Sequence, residues 1–306
     1  MIYTLRHRTT YRYEDPVSFA QCVLRLTPRS SPNQTVLRST IVVQPKPAHT
    51  QAGLGPFGER ALRVLIDEPH ETLVIEGLAR VDVHVPPTGD PSDSEAWEKI
   101  RLDSFADSDL GPEGPAAFLY PTPRTPVSAP IVDYARESFP PGMPIIEAAA
   151  DLMRRIHGDF TYDPEATTVS TPAPEAFKRR HGVCQDFAHI MIAGLRGLGL
   201  PAAYVSGYLR TIPPPGQPRL EGADATHAWV SVWCGHARGW LGFDPTNACF
   251  VENDHIVLAV GRDYGDVAPI DGIILAPGVQ TLEVEVDVIP EGEAAPVARG
   301  AAIAAR

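Results

Sequence analysis

Between residues 182 and 246 the apolar pattern changes once from a helical to a strand period and does not change back. Such a stretch must lay one helix against a sheet built from the residues that follow. Phe187, Met191, Leu195 and Leu198 recur at helical spacing, and Gly199 with Pro201 supplies a stop, which predicts a helix from Cys184 to Leu198. Ala203 to Arg210, Ala228 to Cys234 and Gly239 to Phe243 then read as strands. Chemistry-bearing residues sit at the edges of these elements. Cys184 opens the helix, His227 enters the second strand, and Asp244 closes the third ahead of Pro245.

A free thiol near neutral pH is only a few per cent ionised, so a nucleophilic cysteine needs help. The first turn of a helix gives some, through unpaired N–H groups and the positive end of the dipole. An imidazole gives more, by taking the proton, and a carboxylate on its other nitrogen fixes tautomer and orientation. Cys184, His227 and Asp244 are candidates for these three roles. The Cys184 backbone N–H is a natural donor to an oxyanion, and Gln185, Tyr162 and Trp229 are candidates for a second donor or a cleft wall. Each has a plain alternative when taken singly: core filler for the cysteine, a structural strand histidine, a turn at Asp-Pro-Thr. Their order and placement favour the catalytic reading.

The 306 residues suffice for two domains. A net charge of -12 gives no electrostatic support to nucleic-acid or anionic-membrane binding. No apolar run has the length of a signal peptide or membrane span, so a cytoplasmic location is expected. The four scattered cysteines suit reduced thiols better than a disulfide framework. Residues 1–90 are expected to form a β-rich domain, with strands at Ile2 to Tyr13, Val36 to Val43, Ala61 to Ile66, Glu71 to Ile75 and Ala79 to Val85. Residues 91–126, rich in Asp, Gly and Pro, read as an irregular linking excursion. Residues 127–292 form the expected catalytic domain, with helices at Ile131 to Ser138 and Ile145 to His157 and a last strand at Gln280 to Ile289. Residues 293–306 read as a disordered tail.

With these residues in hand, the chain resembles the transglutaminase-like superfamily of papain-type cysteine enzymes. It is similar above all to bacterial members with a β-rich N-terminal domain, often labelled candidate cysteine proteases. The resemblance rests on Gly182 to His189, Gly197 to Leu209, Thr226 to Val230, Trp240 to Asn247 and Gly261 to Pro269, with Tyr3, His7, Thr9, Tyr11 and Tyr13 resembling the first strand. It departs at Gly55 to Glu59, where the family commonly has an Asp-x-x-Gly-Asn turn. The resemblance implies an α+β fold, with the cysteine helix against an antiparallel sheet bearing His and Asp and an N-terminal β-sandwich-like domain. It also implies a thioester acyl-enzyme formed from an amide of a peptide or protein, resolved by water or by an amine.

Other residues invite weaker readings. On a helix His189 points away from Cys184, which makes it structural, and Asp186 suits a helix-capping role. Arg262 and Asp263 read as a tethered pair in a turn. Cys234, His236 and Cys249 lack the paired spacing of a zinc site, and neither an organic cofactor motif nor a calcium loop is present. The leading expectation is a cysteine peptidase or amidase. Its alternatives are a protein transglutaminase and a non-catalytic scaffold that has kept the fold.

Overall fold

The computed structural model describes residues 1–212, 220, 222, 224–275 and 278–293. The proline-rich stretch 213–219 and all of the expected tail except Glu293 lie outside them.

The chain begins with six strands: β1 (Ile2–Val17), β2 (Ala20–Leu24), β3 (Gln34–Gln44), β4 (His49–Leu54), β5 (Arg60–Ile66) and β6 (His70–Val83). The two strands expected between Glu71 and Val85 are one, because Gly77 continues the ladder rather than breaking it. Next come α1 (Trp97–Ala106), α2 (Ala129–Arg136), α3 (Ile145–Asp159), β7 (Thr161–Tyr162), α4 (Ala173–Arg179), β8 (His181–Gly182) and α5 (Cys184–Gly197). The expected irregular excursion therefore contains a helix, α1, which buries only Ile100 and Ser104 and leaves no strong apolar stripe to read. The remaining elements are β9 (Ala202–Leu209), β10 (Ala225–Trp233), β11 (Trp240–Asp244), β12 (Cys249–Phe250), β13 (His255–Gly261), α6 (Tyr264–Val267), β14 (Ile270–Ile274) and β15 (Gln280–Pro290).

Three larger sheets form. Two have four strands each, in the orders β15-β1-β6-β3 and β14-β2-β5-β4. They share a core of Tyr13, Val17, Leu24, Ile66, Leu73 and Ile75, as two half-buried sheets must. The C-terminal strands, grouped by the sequence reading with residues 127–292, pair instead with the N-terminal ones: β15 with β1 and β14 with β2. The third sheet is antiparallel, in the order β12-β11-β10-β9-β13.

Helix α5 lies on one face of this third sheet. Phe187, Met191 and Leu195 are buried with Ala202, Ala228, Val230 and Val232, and α2 and α3 close the same core. Truncating Leu195 to Ala in such a core costs about 2–5 kcal/mol. On the other face, Tyr208, Ile256 and Leu258 pack with Tyr3, Leu5, Val81 and Val288 of the N-terminal sheet. His7 and the Tyr208 hydroxyl join the two units by a 2.9 Å hydrogen bond. The third sheet is thus clamped from both sides, and a clamped sheet is a rigid carrier for side chains at its strand ends.

Candidate active site

The local structure at Cys184 explains its sequence neighbours. Parallel pairing of β7 with β8 sets Tyr162 opposite Gly182, directly ahead of the helix. The Asp186 carboxylate turns back to accept the Val183 N–H at 2.8 Å, which caps α5, and accepts from the Thr167 hydroxyl at 2.6 Å. A Cβ on Gly182 would come within 2.6 Å of that carboxylate, so the cap requires glycine there. Burial holds the Asp186 carboxyl above its ordinary range, against the opposing effect of the Thr167 and Val183 hydrogen bonds. Cys184 is half-buried at the first helical position, where the leading N–H groups lack intrahelical acceptors.

His227 stands on β10 and is buried. One ring nitrogen, Nε2, lies 2.7 Å from Asp244 Oδ2, and the ring lies close enough to Cys184 for the thiol to act on its charge. With Nε2 engaged by the carboxylate, Nδ1 is the nitrogen left for sulfur. Asp244 ends β11 fully buried, and five donors reach it. Oδ1 accepts the N–H groups of Thr246 and Asn247 at 2.9 and 3.1 Å. Oδ2 faces His227, the Asn247 side-chain amide at 2.7 Å and His255 Nε2 at 3.2 Å. The turn carrying Asn247 is anchored to α3, where His157 Nδ1 donates to the Thr246 carbonyl at 2.8 Å.

These contacts set the charges. Burial alone would raise the Asp244 carboxyl, but the hydrogen bonds from His227 and His255 and the His227 charge hold it far below the usual carboxylate range. Burial alone would lower His227, but its bonds to Asp244 and Cys184 push it up to about 10. The surroundings of the imidazole therefore favour its protonated form. The arrangement can stabilise a thiolate, deliver a proton to a leaving group and take one from an incoming nucleophile.

The structure thus brings together Cys184, His227 and Asp244. The other expected site residues divide. Tyr162 lies beside Cys184, 55 % exposed, its ring edge-on to Phe187 and its hydroxyl pushed up by burial and then by the cysteine's charge. Gln185 is committed elsewhere, since its amide donates to the Val169 carbonyl at 3.1 Å. Trp229 is 1 % exposed and packs over Gly207, where a Cβ would come within 2.4 Å of the indole and 2.2 Å of the Ile256 carbonyl oxygen. Its ring supports His227 and His255 at centroid distances of 6.0 and 5.2 Å.

Asn247 and His255 escaped the sequence reading. Asn247, three residues after Asp244, carries the weak signal of an Asx residue able to reach back across a turn. His255 has no local signal, because only the pairing of β13 with β9 brings it to the site.

His189 is fully buried and accepts the Tyr264 N–H on Nε2 at 3.2 Å, in keeping with a structural role. Arg262 pairs with Asp266 at 2.9 Å rather than with Asp263, whose carboxylate caps α6 through the Gly265 N–H. Loop Gly55 to Glu59 closes on itself, with Glu59 accepting the Phe57 N–H, and sets Phe57 against Phe118.

Cys234 is buried, whereas the His236 side chain is 72 % exposed. Among the described residues, the group compact enough for a metal ion is instead His227, Asp244 and His255, with ligand atoms within 4.8 Å of one another. Its donor set does not suit a cation. The Glu252 N–H donates to His255 Nδ1 at 3.3 Å, so the ring proton sits on Nε2, the atom a metal would need. A cavity of about 310 Å³ opens on the far side of the sheet, lined by Trp229, Ser231, Val257 and His255 but not by Cys184.

Comparison with known proteins places the chain in a family. Residues 3–82 match the bacterial transglutaminase-like N-terminal region, and residues 133–245 match the transglutaminase-like superfamily. An uncharacterized protein of Mycobacterium tuberculosis is 41% identical over 302 residues, 95% of this chain and 94% of its own length. A protein-glutamine gamma-glutamyltransferase of Pseudomonas aeruginosa is 34% identical over 124 residues, which is 34% of this chain and 18% of that protein. Among solved structures, a candidate cysteine protease of Cytophaga hutchinsonii shares the fold with a TM-score of 0.73 and 21% identity, over 97% of this chain and 93% of that one.

Proposed function

The chain belongs to the bacterial transglutaminase-like proteins, and from that premise we propose that it is a cysteine peptidase or amidase acting on peptides or proteins. The observation that carries the proposal is the buried His227–Asp244 pair, 2.7 Å apart, beside the half-buried Cys184 at the start of α5. Cys184 sulfur attacks the amide carbonyl carbon, and the electron pair of the C=O bond moves to oxygen. That oxyanion sits at the start of α5, where the Cys184 N–H is available. The imidazolium of His227 gives its proton to the leaving nitrogen as the C–N bond breaks, leaving a thioester on Cys184. Neutral His227 then takes a proton from water, which attacks the thioester, and the carboxylic acid leaves as the sulfur is restored. Asp244 keeps the ring oriented throughout.

Transamidation is the second reading, favoured by the likeness to the Pseudomonas aeruginosa gamma-glutamyltransferase. It shares the thioester and differs only in what resolves it. The four unpaired thiols support a reducing, cytoplasmic setting, and among the described residues no helix is long and apolar enough to cross a membrane.

The test is turnover of a glutamine-containing peptide library by the wild type and by Cys184→Ala, with and without a primary amine. Peptide cleavage or deamidation that needs Cys184 and ignores the amine supports the hydrolase. Amine incorporation at the expense of hydrolysis supports the transferase. Equal turnover by both proteins contradicts the thiol mechanism.

A further inference from the structure

Asp244 carries two histidines, and the proposed mechanism uses only one. His255 begins β13, is 4 % exposed, and places Nε2 3.2 Å from the same Oδ2 that faces His227. Its other nitrogen accepts the Glu252 N–H at 3.3 Å, which leaves Nε2 as the donor. The ring is held edge-on by Trp229, with centroids 5.2 Å apart, and Trp229 is seated over Gly207. The strand behind it is pinned from the N-terminal unit. Gln34 exchanges hydrogen bonds with both the N–H and the carbonyl of Val257, at 2.8 and 2.7 Å, and the Arg29 N–H donates to the same carbonyl. The titratable groups around His255 include Asp244 on β11, His227 on β10, Glu252 in the preceding turn and Cys249, paired with Asp244, and Arg29 and Glu113 line the cavity it borders.

We propose that His255 is a positioning residue, which fixes the rotation of the Asp244 carboxylate so that Oδ2 stays aimed at His227. Apart from His227 itself, the other donors to the carboxylate, two turn N–H groups and the Asn247 amide, all come from its own turn. A donor from β13 ties it instead to a strand clamped by the N-terminal domain. The inference rests on the triad reading and assigns the N-terminal domain a part in it, since the residues that pin β13 come from that domain.

The experiment compares wild type, His255→Leu and His255→Gln by the rate of Cys184 alkylation with iodoacetamide from pH 5 to 9. Alkylation is read by mass spectrometry, with Cys22, Cys234 and Cys249 as internal controls and circular dichroism as the check on folding. Gln can present an N–H near the place of His255 Nε2, and Leu cannot. We expect His255→Leu to slow Cys184 alkylation at pH 6.5 by about tenfold, the effect of losing one hydrogen bond to a charged group, and His255→Gln to recover most of it. An unchanged profile in a folded His255→Leu protein overturns the proposal. So does a His255→Gln protein as impaired as His255→Leu, which would make ring packing the cause.

If neither variant folds, long-range ¹⁵N–¹H correlation on the wild type decides. The proton must be on His255 Nε2 with Nδ1 bare, and a proton on Nδ1 overturns the proposal. A wild-type Cys184 that reacts no faster than Cys249 contradicts the thiol-enzyme reading itself, and the tautomer measurement then still judges the His255 geometry.

Discussion

Two histidines are buried within the transglutaminase-like region and carry opposite electrostatics. His227, on the sheet, is pushed up to about 10, against burial, by its hydrogen bonds to Asp244 and Cys184. His189, on the inner face of α5, is pushed down to about 3 by burial and by the charges of Arg124 and Arg196. Burial acts in the same direction on both, so the difference lies in what each ring faces. A carboxylate with five donors turns one into a charge reservoir. A backbone N–H turns the other into a neutral acceptor.

The contrast is broken most severely at Asp244. Asp244→Asn removes the charge that holds the His227 proton, and the amide cannot accept from every donor around it. Amide turnover should fall by roughly 10²–10⁴-fold, and the low-pH reactivity of Cys184 should go with it in alkylation mass spectrometry. Retention of that reactivity would mean that the carboxylate does not set the His227 charge.

Stability against pH sharpens the same contrast. His189 and His7 have folded values lowered to about 3 and about 4, mainly by burial. The stability they confer is complete above the unfolded value of about 6.5 and is lost as pH falls towards those folded values, at about 1.4 kcal/mol per pH unit per group. His227 works the other way. Its raised value contributes stability that is complete below about 6.5 and is lost as pH rises through about 10. Asp244 adds a contribution present above about pH 4 and lost in stronger acid. Urea unfolding from pH 4 to 10 should therefore show a dome. His227→Gln should flatten its alkaline side alone, and His189→Gln its acid side.

A smaller effect is expected from His189→Leu. The Tyr264 N–H loses its acceptor, for a cost of about 1–3 kcal/mol, while the pH profile of Cys184 alkylation stays that of the wild type. A shifted profile would make His189 part of the machinery rather than of its support. Smallest of all should be Tyr162→Phe, which leaves the ring against Phe187. A loss of turnover beyond about tenfold would instead assign its hydroxyl to the oxyanion.

Much of this was legible in the sequence, and the exceptions have physical causes of their own. The helix from Cys184 and the strands bearing His227 and Asp244 announce themselves because Phe187, Met191, Leu195, Val230 and Phe243 must all be buried, and they are. Helix α1 buries too little to leave a period, and β4, an edge strand with nearly every residue exposed, shows no alternation. Gly77 divides the pattern of β6 without dividing the strand, because the Leu26 side chain takes the room a Cβ would need. The pairing of β14 and β15 with the first two strands, and the approach of His255 to Asp244, are long-range facts that no local spacing encodes.

If Asp244, His227 and Cys184 act as one unit, the reactivity of the thiol reports it without any substrate. Alkylation of Cys184 by iodoacetamide is measured against pH in the wild type and in His227→Ala, with the other three cysteines as controls. Wild-type Cys184 should react selectively well below pH 8 and lose that behaviour without His227. Cys184 that titrates like an ordinary thiol, or is inert in both proteins, would contradict the triad reading.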